Sequence, residues 1–216
     1  MGGMQQAPND KALVHIVDDD ASMRAALEGL FDSVGLQAKT YGTARDFFSA
    51  NLSDRPGCIV LDVRLPDMNG LEFQTRLIQS GVGVPVVMMT GHGDIPMSVH
   101  AMKQGAVDFL AKPFRDQDML DAVLAAIERD RGRRVVEHDV SQLKERFQTL
   151  SPREQEVMLL VTAGKMNKQV AGDLGISEIT VKIHRGAATH KMGARTYAEL
   201  VRMADALQPS RRKLGR

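Results

Sequence analysis

The chain has 216 residues, 43% of them apolar and 25% charged, which suits one large or two small globular domains. No apolar run approaches the roughly 20 residues that span a bilayer, and the polar stretch from Met1 to Lys11 lacks a signal core, so neither membrane insertion nor export is expected. A single cysteine, Cys58, excludes an intrachain disulfide and fits the cytoplasm. The net charge of +1 hides a split: residues 1–127 hold 10 Lys+Arg against 16 Asp+Glu, whereas residues 147–216 hold 12 against 6. An acidic front and a basic back predict two domains, the second with an anionic partner such as nucleic acid.

In chain order, residues 1–12 read as a disordered N-terminus. A strand is predicted over Leu13–Val17, then a helix from Ser22 to Val34 closed by Gly35. A second strand runs from Gln37 to Tyr41, and Thr43 with Asp46 caps a helix reaching Ala50. The third strand is Cys58–Leu61; after the loop at Pro66–Gly70 a helix runs to Gln79. The fourth strand is Val84–Met89, with Asp94 capping a helix from Ile95 to Gln104. The fifth is Asp108–Leu110, with Asp116 as cap of the last helix. This alternation describes a flavodoxin-like (βα)5 sheet over residues 13–128.

Residues 129–146 read as a charged helical linker. The remainder is helical by pattern. Ser151, Pro152 and Glu154 open one helix with a capping box. Asn167 caps a second, Ser177 a third that runs to Met192, and Thr196 a fourth that ends near Ala206. The short turn Leu174–Ser177 makes the second and third a helix-turn-helix, within a small all-α domain over residues 147–207. Residues 208–216 form a basic tail.

The strand ends carry the chemistry. In a parallel α/β sheet, ligands bind at the carboxyl edge. That edge is predicted to gather Asp18, Asp19, Asp62, Thr90 and Lys112. Clustered carboxylates with one hydroxyl and one amine suit Mg²⁺ (or Mn²⁺) and a phosphoryl group. Asp19 is the expected direct ligand, and Asp18 holds the metal's waters. Asp62 is both ligand and nucleophile, forming an aspartyl phosphate. Arg64 offers a backbone carbonyl, Thr90 a hydroxyl donor, and Lys112 a point charge.

Val17-Asp18-Asp19, Leu61-Asp62, the run Leu65–Gly70, Thr90-Gly91-His92-Gly93-Asp94 and Ala111-Lys112-Pro113-Phe114 together resemble a response-regulator receiver domain. The wording Thr-Gly-His-Gly-Asp and Gly105–Leu110 is most similar to the FixJ branch of the NarL/FixJ family. The resemblance implies that Asp62 takes phosphate from a histidine of a sensor kinase. Thr90 and Phe109 would then shift together, and the chain would dimerise. Leu150–Glu154, Lys168–Ala171, Leu174–Ser177 and Thr180–Arg185 resemble a LuxR-type effector domain. This implies a recognition helix in which Lys182, Ile183 and position 186 face bases, with Val181 and Met192 in the core. Thr180 and Arg185 are further candidate contacts, while Lys165, Lys168, His184 and Lys191 suit phosphates. The chain departs from the pattern at Gly186, Gly172 and Lys165-Met166-Asn167.

The expected function is a phosphorylation-switched, homodimeric transcription regulator that binds promoter DNA, with RNA polymerase as a further candidate partner. It is not an enzyme toward a separate substrate; at most it catalyses its own phosphorylation and dephosphorylation. Two alternatives remain. One is a phosphate-independent regulator. The other is a Mg²⁺-dependent phosphohydrolase, against which stands Asp62-Val63-Arg64, lacking a second acid.

Overall fold

The computed structural model describes residues 11–91 and 95–207, with the side chains of residues 95–97 outside the description. The predicted terminal segments (residues 1–10 of the first, all of 208–216) and the cap at Asp94 lie outside the described residues. Two compact units divide between Arg134 and Val135.

In the first unit, five parallel strands, β1 (Leu13–Val17), β2 (Gln37–Tyr41), β3 (Gly57–Asp62), β4 (Val86–Thr90) and β5 (Asp108–Ala111), stand in the order β2-β1-β3-β4-β5. The helices are α1 (Ala21–Ser33), α2 (Ala44–Ser49), α3 (Gly70–Gln79), α4 (Ile95–Lys103) and α5 (Asp116–Gln148). The central strands are apolar along their whole length because helices cover both faces. Side chains alternate between those faces. Val14, Ile16, Cys58, Val60, Val87 and Met89 join one core with Leu27, Phe31, Met119 and Val123. Val17, Ile59, Leu61, Val86 and Met88 join the other with Phe47, Phe73 and Leu77.

Gly57 opens β3 because a Cβ there would lie 2.1 Å from the Leu13 carbonyl oxygen. Its N–H donates to the buried carboxylate of Asp130 on α5, at 3.0 Å. Arg133 and Arg134, on the same helix, also donate to Asp130 at 2.6 and 2.7 Å, and Arg134 reaches Asp54 of the loop before β3 at 2.5 Å, which keeps α5 fastened to the first unit through Arg134. The sequence alone placed the end of this domain at residue 128. Asp116 is the first residue of α5 rather than its cap. The Arg115 carbonyl accepts from Met119 N–H, and the Arg115 guanidinium pairs with Asp118.

The second unit contains the end of α5 and the helices α6 (Pro152–Thr162), α7 (Asn167–Leu174), α8 (Glu178–Met192) and α9 (Tyr197–Leu207). Leu150, Met158, Ala188, Met192, Leu200 and Ala204 form one core cluster, against which Leu143 and Phe147 of α5 pack. Val157, Val161, Val170, Ala171 and Val181 form the other. Gly175 ends α7 at φ 64°, the left-handed turn that a helix-turn-helix requires. Asn167 is the first residue of α7 and not its cap. The preceding Met166 N–H is met instead by Gln169 Oε1 at 2.8 Å.

Candidate functional site

The crevice is built by four strand ends. Asp18 follows β1, Asp62 ends β3, Thr90 ends β4 and Lys112 follows β5. Asp62 pairs in register with Met89, and Thr90 with Ala111, so these ends stand side by side. Lys112 Nζ donates to Asp18 Oδ2 at 2.7 Å and to Asp62 Oδ2 at 2.5 Å. One amine therefore spans two carboxylates that are far apart in sequence. Asp62 Oδ1 accepts from Arg64 N–H at 2.8 Å, and Asp18 Oδ1 from Asp20 N–H at 2.8 Å.

Asp18, Asp62 and Thr90 are buried, whereas Asp19 is exposed at the mouth. Burial pushes the Asp18 carboxyl up, against the opposing pull of the Lys112 amine and the Asp20 N–H. Burial opposes the charge on Lys112, but its hydrogen bonds to Asp18 and Asp62 outweigh that, so its pKa is raised and it stays an ammonium. Asp18, Asp19 and Asp62 each place one oxygen within 4.8 Å of the others. An all-oxygen, carboxylate-rich donor set fits Mg²⁺ and gives a soft metal no thiolate or imidazole. Phe109 sits half-buried on β5, opposite Met88 and against the second core. Of Arg64, the structure ties the N–H to Asp62 and pairs the residue with Asn69 in an isolated bridge.

Asp20 does not enter the pocket. It caps α1, accepting from Ser22 N–H at 2.8 Å. Asp67, in the loop after β3, caps α2 from outside. Its carboxylate accepts from Ala44 and Arg45 N–H at 3.1 and 3.0 Å. Although the loss of some hydration works against it, those donors hold the Asp67 carboxyl below its ordinary value. Sequence reasoning missed this role, because donor and acceptor stand 23 and 22 residues apart.

On the second unit, Lys168, Lys182, Ile183 and Gly186 are exposed. Thr180 and His184 are half-buried, and Thr180 N–H donates to the capping Ser177 Oγ at 3.1 Å. Arg185 points toward α7, with Nη1 3.4 Å from Asn167 Oδ1. Lys165 pairs with Asp173 at 2.6 Å. Lys191 donates to the buried Glu154 at 2.7 Å, the same Glu154 oxygen that accepts from Ser151 N–H. Lys191, read from sequence as a phosphate contact, thus also has a partner inside its own unit. The link joins α6 to α8 across 37 residues, with no local signal to reveal it.

Residues 14–124 match the response regulator receiver domain, and residues 148–204 match the bacterial regulatory proteins of the luxR family. The chain is 55% identical to nodulation protein W of Bradyrhizobium diazoefficiens, over 95% of this chain and 90% of that protein. It is 41% identical to the transcriptional regulatory protein FixJ of Rhizobium meliloti, over 88% of this chain and 94% of that protein. Among solved structures, the response regulator StyR superposes with a TM-score of 0.76 at 43% identity, covering 90% of this chain and 98% of StyR. With two matching domains in this order, an acid–lysine crevice in the first and a helix-turn-helix in the second, the chain belongs to the NarL/FixJ family of response regulators.

Proposed function

We propose that Asp62 accepts a phosphoryl group from a histidine of a sensor kinase, and that the phosphorylated chain dimerises and binds promoter DNA. The single observation that carries this reading is the Lys112 amine held between Asp18 and Asp62. Such a charge next to a buried carboxylate balances the anions that a phosphoryl group brings. In the transfer, an Asp62 carboxylate oxygen forms a bond to phosphorus as the phosphorus–nitrogen bond breaks. The electron pair leaves with the imidazole, which then takes a proton. Lys112 stays protonated and turns its N–H donors to the phosphoryl oxygens, and the Thr90 hydroxyl donates to another. Arg64 N–H keeps the remaining carboxylate oxygen oriented.

Asp18, Asp19 and Asp62, with the Arg64 carbonyl, would hold Mg²⁺. When bound, that ion supplies positive charge against the repulsion between carboxylate and phosphoryl group. Repacking of Thr90 and Phe109 would carry the change to the dimer face. On the second unit, Lys182, Ile183 and, one turn on, Gly186 would face the bases. Lys168 and the outer parts of Thr180, His184 and Arg185 would line the phosphates. The chain is a phosphoacceptor, with at most self-catalysed gain and loss of its own phosphoryl group. Its site of action is the cytoplasm, where promoter DNA and RNA polymerase are. Among the described residues, no helix is long and apolar enough to cross a membrane.

The test is light scattering after size exclusion with Mg²⁺, with and without beryllofluoride, on wild type and Asp62→Asn. The expected result is a monomer-to-dimer shift in wild type alone. No shift in either protein would sink phosphorylation-driven dimerisation and favour the phosphate-independent alternative.

A further inference from the structure

Helix α8 buries Val181, Ala188 and Met192 along one side. At 3.6 residues per turn, Lys182, Gly186, Ile179 and Ile183 fall, in that angular order, within about 100° of arc on the other side. Three of these four offer no hydrogen-bonding side chain. Ile179 is 71% exposed and Ile183 is 64% exposed, one turn apart at the start of the helix. Gly186, one turn beyond Ile183, has open space where a Cβ would stand. A single exposed isoleucine needs no explanation. Two in a row do, when they sit on the leading turns of a helix whose N-terminal part faces base edges in this motif.

The charge of the surroundings names the occupant. The chain from residue 147 onward carries 12 Lys+Arg against 6 Asp+Glu, so a polyanion is the partner drawn to this unit. On the major-groove edges of DNA, the apolar group available to an isoleucine is the thymine 5-methyl. We propose that Ile179 and Ile183 each read a thymine methyl, that Gly186 lets the helix approach closely without adding a donor, and that the half-site core is therefore A·T-rich. Lys182 is the hydrogen-bonding reader on this strip. Ile179 thereby becomes a specificity-determining residue that the sequence motif did not single out. The proposal rests on the DNA-binding reading above and specifies what that site recognises.

The test begins with selection from random duplexes by the full chain, in Mg²⁺ and beryllofluoride. The enriched duplex is then remade with uracil at each thymine in turn, which removes only the methyl. In wild type, two positions per half-site should each weaken binding about fourfold, the worth of one buried methyl. Ile179→Ala should erase the loss at one of these positions and Ile183→Ala at the other. Lys182→Ala should weaken binding and leave the uracil profile in place. Both isoleucines are exposed, so these variants keep the fold, which circular dichroism checks. A flat uracil profile in wild type, or an unchanged profile in Ile179→Ala, overturns the proposal while DNA binding stands. Failure to enrich any duplex overturns both.

Discussion

The two units place their chemistry in opposite ways. The receiver crevice is assembled from residues far apart in the chain. Lys112 reaches Asp62 across 50 positions and Asp18 across 94. The strip proposed to face DNA lies on a single helix, within eight residues of sequence. A convergent site is charged, buried and sensitive to any one member, because removing a partner leaves an unpaired charge in a low-dielectric place. A local strip is exposed, so its members can be exchanged with little effect on the fold. Each therefore fails differently, and four measurements sharpen or break the contrast.

The largest effect is expected at Asp62. Asp62→Asn should abolish phosphoryl uptake from a small-molecule phosphodonor, read by intact mass, while DNA affinity measured without the donor stays at the wild-type level. Uptake that persists would mean that another carboxylate serves as acceptor.

Next comes acid. His15 lies buried on β1, with Nδ1 3.1 Å from the Tyr41 hydroxyl. Burial first, and the nearby Lys39 charge second, lower its pKa from 6.5 to about 4. The folded state then binds fewer protons than the unfolded one between those values, so stability is full above pH 6.5 and falls as pH drops toward 4. The expected loss is about 3 kcal/mol across that window. Urea unfolding of His15→Gln should show a flatter acid limb. An unchanged limb would exclude His15 as its cause.

Third, Lys112→Ala leaves Asp18 and Asp62 facing each other. The expected destabilisation of the receiver unit is about 2 kcal/mol. That is below the value for a sealed pair, because 17% of the lysine side chain is exposed. Mg²⁺ should restore part of the loss in denaturant titrations. Wild-type stability in the variant would show that the carboxylates do not depend on the amine.

The smallest effects separate two lysines of α8. Lys191→Met should cost about 1 kcal/mol through Glu154 and leave the salt dependence of DNA binding unchanged. Lys182→Ala should leave stability within about 0.5 kcal/mol. As a cation brought among the groove's phosphates, Lys182 displaces condensed counterions, so in the variant the slope of log affinity against log salt should flatten by up to about 0.9. Reversal of this pattern would make Lys191 the contact and Lys182 the structural residue.

The receiver site was legible because four of the five strands deliver a functional residue at or just after their ends. Asp62, Thr90 and Lys112 follow apolar runs whose direction and order are clear without any long-range contact. Local caps were legible for the same reason: Ser151 and Glu154 meet within one turn, as do Thr43 with Asp46 N–H and Thr196 with Glu199 N–H. What stayed hidden is polar and long-range. Asp130 reads as one more charge in a charged stretch, yet it is buried under Gly57 across 73 residues. Arg185 sits 3.4 Å from Asn167 across 18 residues, a contact that no local pattern announces. Asp116 and Asn167 are good capping residues by type that the chain uses one position later. In both places another side chain, Asp118 or Gln169, already serves the first turn. Residue type fixes what a position can do, and only the fold decides which donor reaches it.

Asp67 carries a consequence for encounter with the kinase. It lies outside the pocket, yet it fastens the loop that follows Asp62 to the first turn of α2. The same loop is closed at its far end by Gly70 N–H on the Val63 carbonyl at 2.8 Å. The acceptor's bank of the crevice is thus ordered when the domain folds. Its conformational entropy is lost once, at folding, and not again at each docking event. A partner histidine would meet a carboxylate already in place, so little of the docking free energy is spent on ordering this side of the crevice.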